Sequence, residues 1–176
     1  MGKQYKALSP SDIEFIQKQK LFYIASSSNH EVNLSPRGYD CLHVLDSGSI
    51  YMIDYLGSGN RTARDIEEDG NITLLFNAFE GKPKILRCFC KGKLISKQTD
   101  MFKTIGEHFK EEMNTIRHIF KFNIYAVESS CGMGVPIMHY QEDRKGVQEY
   151  ALKMVKEGKF EQYIQDHITP PDLSKV

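Results

Sequence analysis

Apolar residues recur along this chain at two spacings, and the change from one to the other marks out its elements. Residues 21–25 (LFYIA) are a continuous apolar run of strand length, which reads as a buried strand. Residues 31–35 (EVNLS) alternate Val32 and Leu34 with polar neighbours and read as a half-buried strand broken by Pro36, Arg37 and Gly38. Residues 39–45 and 49–55 flank Asp46-Ser47-Gly48, and residues 71–79 and 84–96 flank Glu80-Gly81-Lys82-Pro83, so each pair is a predicted hairpin. Residues 122–127 (FNIYAV) return to strand alternation. Five or six strands joined mostly by tight turns predict an antiparallel sheet that closes, or nearly closes, into a barrel.

Helical spacing governs the remainder. Ser9-Pro10-Ser11-Asp12 is a helix start, with Ser9 as cap, Pro10 in the first helical position and Asp12 facing the dipole. Residues 62–68 are mostly helix-compatible, and Asp69-Gly70-Asn71 supplies the stop. Phe102, Ile105 and Phe109 share one face of a helix over residues 99–109, and residues 111–120 read as its continuation, with Arg117 and His118 on a solvated face. Val147, Tyr150, Ala151, Met154 and Val155, then Phe160, Tyr163 and Ile164 after Gly158, predict two short helices docked on the barrel or on a partner subunit. No repeat, low-complexity tract or linker divides the chain. The expectation is a single domain over residues 1–176, with residues 144–168 a C-terminal helical extension and residues 169–176 irregular.

Charge and composition narrow the field. Lysine and arginine (23) balance aspartate and glutamate (23), so no global field draws the protein to nucleic acid or to an anionic membrane. No run approaches the ~20 apolar residues of a membrane span, and the N-terminus has no apolar secretory core, so a cytoplasmic protein is expected. Cys41, Cys88, Cys90 and Cys131 contain no Cys-x-x-Cys pair and are expected to stay reduced; Cys88 and Cys90 share one strand face as small buried thiols. The six histidines have no metal-ligand spacing, and no metal site is expected. Ten phenylalanines and nine tyrosines at zero net charge suggest apolar surface covered by self-association.

The candidate chemistry lies in residues 56–63 (LGSGNRTA), between a strand and a helix. Gly, Ser and Asn there serve an ordinary turn equally well. A helix starting near Asn60 also aims its free N–H groups and positive dipole end at a ligand phosphate, and Arg61 adds a charge-assisted contact.

Three motifs in order carry a resemblance: Ser35-Pro36-Arg37-Gly38, Gly57-Ser58-Gly59-Asn60-Arg61, and Ser130-Cys131-Gly132-Met133-Gly134-Val135-Pro136. Together they resemble small members of the pyridoxamine 5′-phosphate oxidase-like, FMN-binding split-barrel family over residues 9–136. The resemblance implies a six-stranded antiparallel split β-barrel with flanking helices, a homodimer, and one FMN in each of two clefts at the dimer interface. It implies a phosphate grip by Ser58, Asn60, Arg61 and Thr62, with Gly59 allowing close backbone approach and Arg37 reaching over from the neighbouring strand. Ser35 and Pro36 would line the flavin, Asp54 and Tyr55 would lie beside its ring, and Arg87 would approach from the other subunit. The basic and aromatic substrate-binding tail of the true pyridoxamine phosphate oxidases has no counterpart here, which speaks against vitamin B6 oxidation.

The function implied is an FMN-dependent oxidoreductase taking a hydride from a reduced nicotinamide or a small organic donor. No catalytic side chain is predicted, because the flavin carries the chemistry. Alternatives are a flavin-binding or stress-related protein without turnover, a deazaflavin binder, and a haem-binding relative in which His30 or His139 would ligate iron.

Overall fold

The computed structural model of the chain describes residues 2–29 and 31–175. Its N-terminal part is β1 (Lys3–Tyr5), α1 (Pro10–Lys18), β2 (Phe22–Ser27), β3 (Asn33–Arg37), β4 (Leu42–Asp46) and β5 (Ser49–Asp54). After these come α2 (Arg61–Glu68), β6 (Asn71–Asn77), β7 (Ile85–Ile95), α3 (Asp100–Gly106), β8 (His118–Ser130), α4 (Gly146–Lys156) and α5 (Phe160–Asp166). Local chemistry starts α1 as expected: Asp12 N–H donates to Ser9 Oγ at 3.2 Å, and Ser9 N–H donates to an Asp12 carboxylate oxygen at 3.0 Å, closing a capping box.

The strands form one antiparallel sheet in the order β3-β2-β6-β7-β8-β5-β4, with β1 against the far end of β8. Both expected hairpins are present as β4–β5 and β6–β7. The long strands β7 and β8 shift register between Phe89 and Cys90, a bulge that increases local twist and helps the sheet curl. The result is a curled half-barrel with flanking helices, in agreement with the expected class; the described sheet has eight strands where the resemblance implies six, the three-residue β1 among them. Ile24, Ile50, Met52, Leu74, Phe76, Leu86, Ile119, Phe120 and Phe122 are buried in one hydrophobic core cluster. Cys88 and Cys90 are buried in the wall, where burial pushes both thiols up, Cys88 to about 12.

Two expectations from the pattern do not hold. Residues 118–120 are strand, not the end of a helix, and extend the expected strand over residues 122–127, because β8 pairs along its length with β7, β5 and β1 and buries Ile119, Phe120 and Phe122; tertiary pairing overrides a local helical spacing. β3 runs through Pro36, which an edge strand tolerates, and it turns Val32 (76% exposed) and Leu34 (65% exposed) outward while Asn33, Ser35 and Arg37 face inward.

Helix α2 lies against β2, β6 and β7. It packs tightly over Gly92, where a Cβ would stand 2.7 Å from Ile66 Cγ1 and 3.1 Å from an Ile72 carbon. Gly92→Ala is expected to destabilise the protein by about 2 kcal/mol through overpacking. Gly146→Ala, in open space at the start of α4, is the matched control, and urea denaturation of the two variants should separate them clearly.

Candidate functional site

Strand β5 ends at Asp54 and α2 begins at Arg61, so residues 55–60 are a loop bounded by two rigid elements. Together with the inward face of β3 this loop encloses a cleft of about 240 Å³. Of the residues expected to hold a cofactor, Ser35, Arg37, Asp54, Tyr55, Ser58, Gly59, Asn60, Arg61 and Thr62 line it. Pro36 points out of the other face of β3 and is exposed, as the period-two rule requires of a neighbour of Ser35 and Arg37. Arg87 lies on β7 outside the cleft, paired with Glu128 at 3.3 Å.

The loop takes its shape from a buried ion pair. Arg117 (5% exposed) donates to Asp54 Oδ2 (Asp54 is 3% exposed) from Nε at 3.0 Å and from Nη2 at 2.6 Å. Its remaining nitrogen, Nη1, donates to the carbonyls of Gly57 at 3.1 Å and Gly59 at 2.9 Å, so one side chain ties the end of β5 to both glycines of the loop. The backbone supports this, because Arg117 N–H donates to Asp54 O at 2.9 Å where β8 joins β5. Arg117 is the functional residue that the sequence reading missed. Ile116 and Ile119, both fully buried, keep the i, i+3 spacing of a helix, so no local signal in the sequence marks Arg117.

The pair leaves groups in the cleft wall unspent. Asp54 Oδ1 sits 3.3 Å from Arg37 Nη2, without hydrogen-bond geometry, and Arg37 Nε, Asp54 Oδ1 and Tyr55 OH are buried with no hydrogen-bond partner among the described residues. Buried unpaired polar atoms cost about 1–3 kcal/mol each, and their collection in one cleft marks a place where a ligand would satisfy them. Burial also pushes the Tyr55 phenol well above its ordinary value.

The start of α2 is open as well. Asn60 holds the N-cap position but makes no capping hydrogen bond: its Nδ2 donates to Ile168 O at 2.9 Å, and its Oδ1 meets His118 Nε2 at 3.2 Å. Thr62 Oγ1 accepts from Asn33 Nδ2 at 3.1 Å, fixing the first turn of the helix to β3. Arg61 Nε donates to Glu31 at 2.6 Å, an interaction that holds the Glu31 carboxyl down at about 2. Among the described residues, Arg37 and Arg117 face Asp54 at this cleft and Arg61 faces Glu31, so three guanidiniums meet two carboxylates and the balance is cationic.

Other candidates lie elsewhere. A wider groove of about 1500 Å³ runs between α1, the β6–β7 turn and the end of β8, and contains Cys131 and the exposed His139. Several of its polar groups are paired with one another, as in Lys84 to Asp12 at 2.7 Å and His139 to Glu80 at 3.1 Å. His30 lies outside the described residues. Among the described residues there is no cluster of three or more His, Cys, Asp or Glu that could hold a metal, and no helix is long and apolar enough to cross a membrane.

A family model described as pyridoxamine 5′-phosphate oxidase matches residues 12–131. A curated relative, the pyridoxamine 5′-phosphate oxidase family protein ustO of Aspergillus flavus, is 29% identical over 147 residues, covering 79% of this chain and 58% of the relative. The chain therefore spans somewhat over half the length of that protein. Among solved structures, a single-residue variant of HupZ from Group A Streptococcus aligns with TM-score 0.58 at 11% identity, over 69% of this chain and 98% of that one. The haem storage protein HutZ of Vibrio cholerae (TM-score 0.50, 16% identity, 72% and 97% coverage) and an FAD-binding protein of Mycobacterium smegmatis (0.50, 8%, 72% and 97%) share the fold.

Replacing Arg117 by Gln is expected to destabilise the protein by about 3 kcal/mol or more, because it strands a buried carboxylate. Adding Asp54→Asn should recover part of that loss, and a double-mutant cycle by urea denaturation measures the coupling. A second expectation concerns acid. Burial pushes His118 down to about 4, so the unfolded chain, titrating near 6.5, takes up the proton first as pH falls. Stability is then full above about pH 6.5 and declines toward pH 4 by at most about 1.4 kcal/mol per unit. His118→Gln should flatten the difference in unfolding free energy between pH 7 and pH 5.

Proposed function

The chain belongs to the pyridoxamine 5′-phosphate oxidase family, and from that premise we propose that it is a cytoplasmic FMN-dependent oxidoreductase acting on a small-molecule electron donor. The observation that carries the reading is the pair of unspent buried atoms in one cationic cleft: a donor, Arg37 Nε, and an acceptor, Asp54 Oδ1. A bare anion would satisfy only the first. A phosphate on a hydroxylated arm satisfies both, the phosphate accepting from Arg37 and a hydroxyl donating to Asp54, and FMN has that chemistry. Arg61, the Ser58 and Thr62 hydroxyls and the uncapped start of α2 complete the phosphate side, and the loop glycine Gly59 lets the backbone come close.

When bound, FMN supplies hydride and electron transfer through its ring, and the protein's part is to hold, orient and desolvate. Asn60, held by Ile168 and His118, acts in this reading by fixing the loop. Tyr55 and Ser35 border the cleft on the side where the ring would extend. At about 240 Å³ the cleft falls below the roughly 300–1,000 Å³ of complete small-molecule sites, which supports a second copy closing over the ring. Val32 and Leu34, exposed on the outer face of β3 beside Pro36, suit such a homodimer, and Arg87 would approach from the other subunit. A flavin binder without turnover is the second reading; it is favoured by the commitment of Asp54, the only cleft-lining carboxylate among the described residues, to ion pairing. The polar lining, with no imidazole among its described residues, speaks against haem.

Purified protein should be yellow, with a cofactor of FMN mass, and should bleach anaerobically with reduced nicotinamide. Arg37→Ala should weaken FMN binding by at least about tenfold, the effect of losing a charged hydrogen bond of ~1.5–3 kcal/mol. Titration by flavin fluorescence reads the change, and an unchanged affinity in a folded variant would contradict the assignment.

A further inference from the structure

The family match ends at residue 131, yet the segment beyond it reaches back onto the ligand loop. Leu56, at the base of the loop, is buried in a small apolar cluster with Ala151, Phe160 and Ile164 from α4 and α5. Beyond α5 the chain crosses the loop, and two backbone carbonyls meet its side chains: Ile168 O accepts from Asn60 Nδ2 at 2.9 Å, and Pro171 O accepts from Arg61 Nη2 at 3.1 Å. The segment is anchored at further points, by Gln148 to Glu111 at 2.7 Å, by Lys97 to Glu161 at 3.0 Å, and by Tyr39 OH to Arg144 O.

We propose that residues 144–171 are a strap that positions Asn60 and Arg61 for the phosphate, so that docking of the tail and binding of the ligand reinforce one another; this rests on the FMN reading above. The physical need is clear from the loop itself. Gly57 and Gly59 give it backbone freedom that a ligand would otherwise have to remove, and a restraint made in advance lowers that cost. Arg117 fixes the two glycine carbonyls, but it does not touch the Asn60 or Arg61 side chains. The strap and Glu31 do. Glu31 takes Arg61 Nε and Pro171 takes Nη2, while Nη1 lies over Gly59, where an added Cβ would stand 3.6 Å from it. The guanidinium is thereby aimed along the cleft wall by contacts on its two other nitrogens. The strap holds Asn60 through Nδ2, while Oδ1, the atom that would cap α2, meets His118 Nε2, which leaves the first-turn N–H groups to the ligand.

Coupling of this kind is reciprocal, so it is readable from either end. Hydrogen exchange by mass spectrometry on the full chain is the test. In ligand-free protein, Phe160→Ser should raise exchange in residues 57–62 by tenfold or more while β6 and β7 keep their protection, and it should weaken FMN binding about tenfold. In wild-type protein, saturating FMN should slow exchange in residues 160–171. Unchanged loop exchange in the Phe160 variant overturns the proposal. Tail exchange that is unchanged with FMN overturns it as uncoupled, and faster tail exchange overturns it by making the tail a competitor of the ligand. Should Phe160→Ser lose protection throughout, Phe160→Leu makes the same comparison more gently. Should wild-type protein take up no FMN, the functional reading fails, and the ligand-free comparison still decides the strap.

Discussion

The cleft depends on the Asp54–Arg117 ion pair. A carboxylate and a guanidinium almost wholly removed from water are a burden unless every nitrogen and oxygen finds a partner. Arg117 meets that condition by spending its third nitrogen on the carbonyls of Gly57 and Gly59, so the requirement that makes the pair tolerable also fixes the loop. Asp54 meets it only halfway, with Oδ2 saturated and Oδ1 left facing Arg37. The strain-free solution for the fold would be a closed network. The observed one is open by one acceptor and one donor, both in the cleft.

This arrangement separates two jobs that arginines perform here. Arg117 is structural glue within a single chain, whereas Arg37 and Arg61 are partly committed cations at the cleft wall. Around them the polar side chains form a connected shell: Asn33 bridges Ser26 and Thr62, and buried Asp65 accepts from Ser26, Ser28 and Arg64, locking α2 to β2. A helix held this firmly presents its N-terminus in a fixed direction, and a pre-formed site of that kind binds without a large ordering cost.

Much of this was legible in the sequence where the physics is local. The Ser9–Asp12 capping box, both hairpin turns, the loop over residues 56–63 and the two C-terminal helices follow from signals within a few residues. The illegible parts are those where a distant partner decides. Residues 118–120 become strand because β7 and β5 lie on either side, and that choice moves Arg117 from a solvated face into the core. Val32 and Leu34 alternate as a half-buried strand should, but their apolar face is the outward one, because the inward face of β3 is reserved for Asn33, Ser35 and Arg37. The contacts of Asn60 and Arg61 with the tail go to backbone carbonyls, which no residue type announces.

The central claim is that this loop grips a phosphate, and comparing FMN with riboflavin tests it most directly, because the two differ only in that group. Fluorescence titration of cofactor-free protein should give at least about 100-fold tighter binding of FMN, the effect of losing two charged hydrogen bonds of ~1.5 kcal/mol each. Equal affinities for the two would contradict the account, because the ring would then be held without any contribution from residues 56–62.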